Sequence, residues 1–192
     1  QKTAGYKKIY PDLFEESKIP EDISNHFVYP KYLYKIQSIV MQRYHNVQPD
    51  VLYRSNDVWE VAKHNTTSIS SKKGTDIEPY YTMVKTKDCT PARLGLELPY
   101  TPYDKQNITA YLVGSVDENG TNTLKLYNYK TDSNILGPMQ LDTQIEQDET
   151  ISAELDSLNV SGTKLTKDII IVPIDNTLLY VETIYQQYVN ET

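Results

Sequence analysis

The sequence predicts an α+β fold, a mainly antiparallel sheet with helices segregated at its ends or on one face. Three observations point there. Helical periodicity is confined to two places, before residue 65 and between residues 138 and 158. Residues 79–129 form short runs that alternate apolar and polar side chains or are rich in β-branched and aromatic residues, and an Asn-Gly turn joins two of these runs. The 192 residues read as one soluble domain, 1–192, with an N-terminal helical part over about 1–64, a loop over 65–76 and a β-rich part over 77–192. A chain of this size buries roughly 70% of its unfolded surface, enough for a real core.

The elements follow in order. Ile9-Tyr10-Pro11-Asp12-Leu13-Phe14 is the apolar cluster of a polar opening and suits a short turn or helix. Pro30 suits a first helical turn, and Leu33, Ile36, Val40 and Tyr44 then recur at spacings of three and four, the pattern of an amphipathic helix. A second short helix is expected over Ser55 to Lys63, with Ser55 as cap and Val58, Trp59 and Ala62 inward. Asn65 to Asp76 reads as a solvated loop. Strands are expected at Tyr81–Val84, Leu94–Leu98, Thr109–Val113 and Thr123–Tyr129, the last two joined through Asp117-Glu118-Asn119-Gly120. A helical interval over Pro138 to Leu158 precedes two further strands, Leu165–Pro173 and Leu178–Tyr185, which turn at Asp175-Asn176.

Composition removes several functions. Acidic residues exceed basic ones, 26 to 19, and no basic run is longer than Lys7-Lys8 or Lys72-Lys73, so the chain lacks the stripe that neutralises a phosphate backbone. Nucleic acid is not an expected partner. An acidic surface also argues against docking to anionic lipid through charge. Cys89 is the single cysteine, which excludes an internal disulfide and a thiolate metal cluster while leaving the compartment open. The apolar runs fall short of the ~20 residues of a spanning helix, and the first residues lack the features of a signal peptide.

Candidate chemistry is sparse. His26, His45 and His64 have no metal-ligand spacing, and His45 at a helix end suits the terminal carbonyls. Asp117 to Asn122 lacks the order of a calcium loop. Glu146, Asp148 and Glu149 read as a solvated helix face or dipole partners, and Cys89 stands in no nucleophile signature. Neither a nucleophile elbow nor a phosphate-binding glycine loop is present. The sequons at Asn65, Asn107, Asn119 and Asn159 reflect composition. No catalytic, cofactor-binding or metal-binding residue is therefore assigned. The oddity is 17 tyrosines against two phenylalanines and one tryptophan. Exposed rings would supply an interaction surface, for which the candidates are Tyr100, Tyr103, Tyr127 and Tyr129; the alternative is tyrosine replacing phenylalanine in a core with wet edges.

A run of short signatures appears in one order: Ile9–Phe14, Ile19-Pro20-Glu21-Asp22-Ile23, His26-Phe27-Val28-Tyr29-Pro30, Gln37 with Arg43-Tyr44-His45, Trp59-Glu60-Val61, Glu78-Pro79-Tyr80-Tyr81, Leu98-Pro99-Tyr100-Thr101-Pro102 and Asn107-Ile108-Thr109-Ala110. Gly137-Pro138-Met139-Gln140-Leu141 and Thr177 before Leu178-Leu179-Tyr180-Val181-Glu182 complete it. Over nearly the whole chain this order resembles the extracytoplasmic portion of the bacterial uncharacterised protein family zero-one-eight-two. Departures are the polar loop at Asn65 to Asp76 and Leu158-Asn159-Val160-Ser161-Gly162, where the family tends to carry a Leu-Trp-rich segment.

The resemblance implies a multi-pass membrane protein with a large soluble region, anchored by transmembrane helices outside this segment, with this domain on the extracytoplasmic side of the cell membrane. It carries no catalytic residues to transfer. The function expected is a non-enzymatic interaction or assembly module at the cell envelope, partnered by other envelope proteins or by the rest of its own chain. The alternative is an envelope ligand sensor or enzyme with a loop-built pocket. A domain that packs on its own flanks would show an exposed sheet edge or apolar face near the termini.

Overall fold

The computed structural model describes residues 4–13, 20–54, 57–67, 74–86, 89–117, 120–129, 134–174 and 177–189. It is α+β, with antiparallel sheets. The opening cluster forms α1 (Ala4–Ile9) and a 3-10 turn at Pro11–Leu13, and α2 spans Glu21–Ser24. Pro30 caps α3 (Lys31–Tyr44) with φ −65°, the angle its ring fixes. A short α4 (Pro49–Arg54) follows.

The second expected helix is absent. Residues 58–64 instead form β1 (Trp59–Val61) and β2 (Lys63–His64). Val58, Trp59 and Val61 favour extended backbone, and the far end of a long strand offers β1 a partner edge. The burial expectation survives the change of element, since Trp59 and Ala62 are in the core. Ser55 lies outside the described residues. The loop reading of Asn65 to Asp76 is corrected at both ends, because Asn65 is buried, Thr67 bridges to Thr166, and β3 (Thr75–Asp76) pairs with β2. Residues 68–73 lie outside the described set.

The main sheet is built on β5 (Cys89–Pro102). Along one of its edges run β4 (Tyr80–Thr86), paired through Tyr80 with Glu97, and β1, paired through Val61 with Tyr100. On the other edge β6 (Ala110–Val116) sets Leu112 opposite Leu98, and β7 (Asn122–Asn128) closes the order. Gly120 takes φ +76° where the β6–β7 hairpin turns, and Glu118 and Asn119 lie outside the described residues. The second helical interval divides into α5 (Pro138–Gln147) and α6 (Glu149–Leu158). Asp148 breaks it, its carboxylate accepting from Thr150 N and Ile151 N at 3.0 Å as an N-cap. Last come β8 (Thr163–Ile174) and β9 (Thr177–Tyr188), paired along their whole length; the expected turn residues Asp175 and Asn176 lie outside the described set.

Every residue of β6 is buried, which is why AYLVGSV lacks a polar face. One side of the sheet presents Leu96, Leu98, Tyr100, Ala110 and Leu112 to Tyr29, Tyr34 and Trp59. The other presents Tyr111, Val113, Val84 and Ile108 to Ile171 of β8.

The tyrosine excess has a structural reason. Tyr34 donates to Leu112 O, Tyr100 to Ser38 O and Tyr80 to Ile171 O, each at 2.8 Å, and Tyr180 donates to Leu136 O at 2.6 Å. Each ring fills the core while its hydroxyl satisfies a main-chain carbonyl on another element.

Candidate functional site

The four tyrosines proposed as an interaction surface do not share a face. Tyr100 is 0% exposed, so it presents no ring, and its hydroxyl serves Ser38. Burial pushes its pKa well above the ordinary phenol value. Tyr103 is exposed beyond the end of β5, Tyr127 is exposed on β7, and Tyr129 is half-buried against Tyr111 and Ile171. The tyrosine excess that suggested them does not say which rings the core takes, and Tyr100 follows the alternative reading of tyrosine replacing phenylalanine in the core.

The histidines also stay apart. His26 contacts the Asp22 carbonyl. His45 stacks on Trp59 with centroids 3.4 Å apart, Nδ1 lying 3.0 Å from Met41 O and Nε2 3.2 Å from Asp57. Burial alone would raise the Asp57 pKa, but hydrogen bonds from His45 and Asn46 outweigh it and hold the carboxyl below its ordinary range. His64 Nδ1 is buried 3.9 Å from Asp168, too far for a hydrogen bond. Among the described residues no group of three or more His, Cys, Asp or Glu could hold a metal ion.

Two buried polar clusters were not foreseen. In the first, Glu97 of β5 is 1% exposed and lies 3.0 Å from the Tyr111 hydroxyl. Tyr111 also contacts Ile171 O, Tyr80 and Tyr111 stand 2.7 Å apart, and Ile171 N donates to Tyr80 at 3.1 Å. Burial pushes the Glu97 pKa up to about 7 against the opposing bond from Tyr111.

In the second cluster, Lys167 of β8 reaches Asp142 Oδ1 at 2.7 Å and Glu146 Oε1 at 2.6 Å on α5, while Asn65 donates to the other Asp142 oxygen. Desolvation would lower the Lys167 pKa, yet its two carboxylate partners prevail and raise it. Glu182 of β9 completes the group. Burial, and then the neighbouring Asp142 carboxyl, push its pKa up to about 7, and its Oε2 is buried with no hydrogen-bond partner. A signal was present in the sequence: Lys167 keeps phase with Leu165, Ile169 and Ile171, and Glu182 with Leu178 and Tyr180.

A cleft of about 550 Å³ opens between the β5 end and α5, lined by Glu60, Lys63, Thr101, Asp104, Lys105 and Met139. Lys63 pairs with Glu60 at 2.8 Å, and this hydrogen bond raises its pKa against a smaller effect of burial. The wall is built by Gly137-Pro138-Met139-Gln140. Gly137 N donates to Gln140 Oε1 at 2.9 Å, and Gln140 reaches Asn107 at 3.3 Å. Gly137 packs so closely on the Gln106 carbonyl that a Cβ would sit 1.7 Å from that oxygen.

The largest unsatisfied feature is apolar. The amphipathic stripe of α3, Leu33, Ile36, Val40 and Tyr44, faces solvent, with Ile36 at 64%, and Tyr32 and Ile39 are exposed beside it. Tyr34 and Ser38 are the buried positions, with Gln37 and Met41 half-buried beside them. Leu179, Val181 and Tyr185 of β9 are exposed as well. Among the described residues no helix is long and apolar enough to cross a membrane.

Fold and surfaces define an α+β domain with an open apolar helix face and no assembled reaction centre among the described residues. The chain belongs to the Uncharacterised protein family (UPF0182), whose model matches residues 3–158. It is 36% identical over 181 residues to a UPF0182 protein of Caldicellulosiruptor saccharolyticus, covering 94% of this chain and 20% of that one. UPF0182 proteins of Clostridium kluyveri and Clostridium acetobutylicum match at 36% and 35% identity, each over 94% of this chain and 20% of their own length. The chain thus spans about a fifth of these curated relatives. No solved structure matches it.

Proposed function

We propose that this domain is a non-enzymatic assembly module on the extracytoplasmic side of a bacterial membrane protein, docking through the outward face of α3 onto the rest of a longer family polypeptide. The observation that carries the reading is that face. An isolated exposed leucine is ordinary, but six large apolar side chains on one side of a 14-residue helix form a contiguous patch of the kind that marks an interface. The occupant follows from length, because about four-fifths of each relative named above lies outside the matched region.

The test uses single cysteines in a Cys89→Ser background. Ile36→Cys and, as a control on exposed α6, Asp156→Cys are labelled with a membrane-impermeant maleimide in the isolated domain and in a full-length family member carrying it. The expected result is labelling of both in the isolated domain, and of Asp156→Cys alone in the full-length protein on intact cells. Equal labelling of Ile36→Cys in both settings overturns the docking, and an Asp156→Cys unreactive on intact cells but reactive after lysis overturns the location.

A second reading, a ligand sensor or enzyme, is favoured by the cleft, where residues from three signature segments meet around two carboxylates and two ammonium groups. A ligand at about 100 times its dissociation constant stabilises a fold by about 2.7 kcal/mol. A thermal-melt screen with cell-wall fragments, sugars and metabolites separates the readings, since a specific shift abolished by Glu60→Gln selects the sensor.

A further inference from the structure

The β8–β9 hairpin is a separate sheet in the strand order; main-chain pairing ties it to the segment after β2, through the Thr67–Thr166 bridge and Lys167 N donating to Thr66 O at 2.9 Å, while side chains seat it on the main sheet. The two polar clusters lie at this junction, one at Ile171 and one at Lys167. Each includes a carboxyl, buried Glu97 in one and half-buried Glu182 in the other, whose ionisation changes the bonding.

Around Ile171 there are five contacts: Ile171 N to Tyr80, Tyr80 to Ile171 O, Tyr111 to Ile171 O, Tyr80 to Tyr111, and Tyr111 to Glu97. With Glu97 ionised only three protons serve them, from the Ile171 amide and the two hydroxyls. With Glu97 neutral its own proton bonds to the Tyr111 oxygen and both hydroxyls turn to the Ile171 carbonyl, so four of the five contacts carry a proton and the Tyr80–Tyr111 contact does not. Ionisation draws the Tyr111 proton to the carboxylate and takes one bond away from β8. At the second cluster, Asp142 already accepts from Lys167 and Asn65, while Glu182 Oε2 is buried with no hydrogen-bond partner, so an ionised Glu182 would place a charge where no donor meets it. Once Glu182 loses its proton, two carboxylates face each other in a buried site with one ammonium between three acids.

We propose that the β8–β9 hairpin is a proton-dependent latch, seated on the sheet while Glu97 and Glu182 are protonated and loosened when both ionise. The groups facing Glu97 are Tyr80 of β4, Tyr111 of β6, Tyr34 of α3 and Tyr129. Those facing Glu182 are Asp142 and Glu146 of α5 and Lys167 of β8. Burial raises both glutamates to about 7, which puts the transition near neutrality. The device is independent of the α3 face and of the cleft.

Hydrogen–deuterium exchange from pH 5.5 to 8.5, corrected for intrinsic rates, tests it. The readout is protection of the Ile169–Ile171 amides of β8 relative to Leu112 and Val113 of β6, in wild type, Glu97→Gln, Glu182→Gln and the double variant. The expected result is a fall of about tenfold or more in the β8-to-β6 ratio in wild type, shallower in each single variant and absent in the double. A constant ratio in wild type means the two regions open together and overturns the latch. So does a pH dependence that persists unchanged in the double variant. If the double variant does not fold, carbon-13 titration of the wild-type carboxyls decides, and two glutamates titrating as ordinary surface acids refute the proposal.

Discussion

Gly137→Ala should cost far more than its single methyl suggests. Gly137 sits at φ −83°, ψ 165°, a backbone conformation open to any residue, so the requirement is for space. An added Cβ would lie 1.7 Å from the Gln106 carbonyl oxygen and 2.8 Å from its carbon, and the neighbour is main chain that no rotamer change can move. Reaching even 3.0 Å separates the segments by at least 1.3 Å. That shift strains the bond from Gly137 N to Gln140, the Gln140–Asn107 contact, and Asn107 and Ile108 N on Ile135 O. Losing two or three of these at about 1 kcal/mol each gives about 3 kcal/mol. For a domain this size, Tm should fall by about 6–12 °C. Urea unfolding and a thermal melt measure it, with Gly162→Ala as comparison. Gly162 has φ +82° and no atom within 4 Å, so alanine there bears only the backbone cost of about 1–2 kcal/mol. A Gly137→Ala protein as stable as Gly162→Ala would refute the reasoning.

Glu97→Gln should remove a pH dependence. A carboxyl raised to about 7 in the fold from an ordinary 4.5 binds its proton more tightly folded than unfolded, so its stabilising effect is full below about 4.5 and lost as pH rises through about 7. The difference is about 3 kcal/mol for this buried group, and urea midpoints at pH 5 and pH 8 should differ less in the variant, which becomes the more stable protein at pH 8. Lys167→Met strands the Asp142 and Glu146 carboxylates, Asp142 being 2% exposed, and should cost about 3–5 kcal/mol. Asp142→Asn in the same chain should recover part of that loss in a double-mutant cycle, and strictly additive effects would contradict the pairing.

How much of this was legible depends on which physical effect decides each position. The strands were readable because β-branched and aromatic runs and an Asn-Gly turn act locally. The helix of α3 was readable as a helix, but its orientation was not. An apolar stripe packs inward by default, whereas here the inner face carries Ser38 and Gln37, which accept from Tyr100 and Tyr29. Tyr100, which meets the main-chain carbonyl of Ser38, is far away in the sequence, and only the folded sheet brings it there. Alternation within Leu94–Leu98 carried no sign that Glu97 is buried, since alternation assumes one wet face and β5 has none at that point. Residues 58–64 read as a helix because a short amphipathic run has no length to distinguish the two periods, and pairing with β5 decided it.

The positions that the signature segments occupy bear on function more than any single motif does. Trp59 stacks on His45, joining the end of α3 to β1. Tyr80 and Tyr81 bond the carbonyls of Ile171 and Tyr29, and Tyr100 bonds that of Ser38. Asn107, Gln140 and Gly137 lock the start of α5 against the loop before β6. A catalytic family carries its most characteristic side chains toward one reacting position, because nucleophile, base and oxyanion donors must lie within hydrogen-bond reach of the same atoms. Here Trp59, Tyr80, Tyr81, Tyr100, Asn107 and Gln140 point into joints between elements, and Glu60, which lines the cleft, is paired with Lys63. Such a pattern fixes how the elements pack on one another, which is consistent with the docking proposed for the outward face of α3.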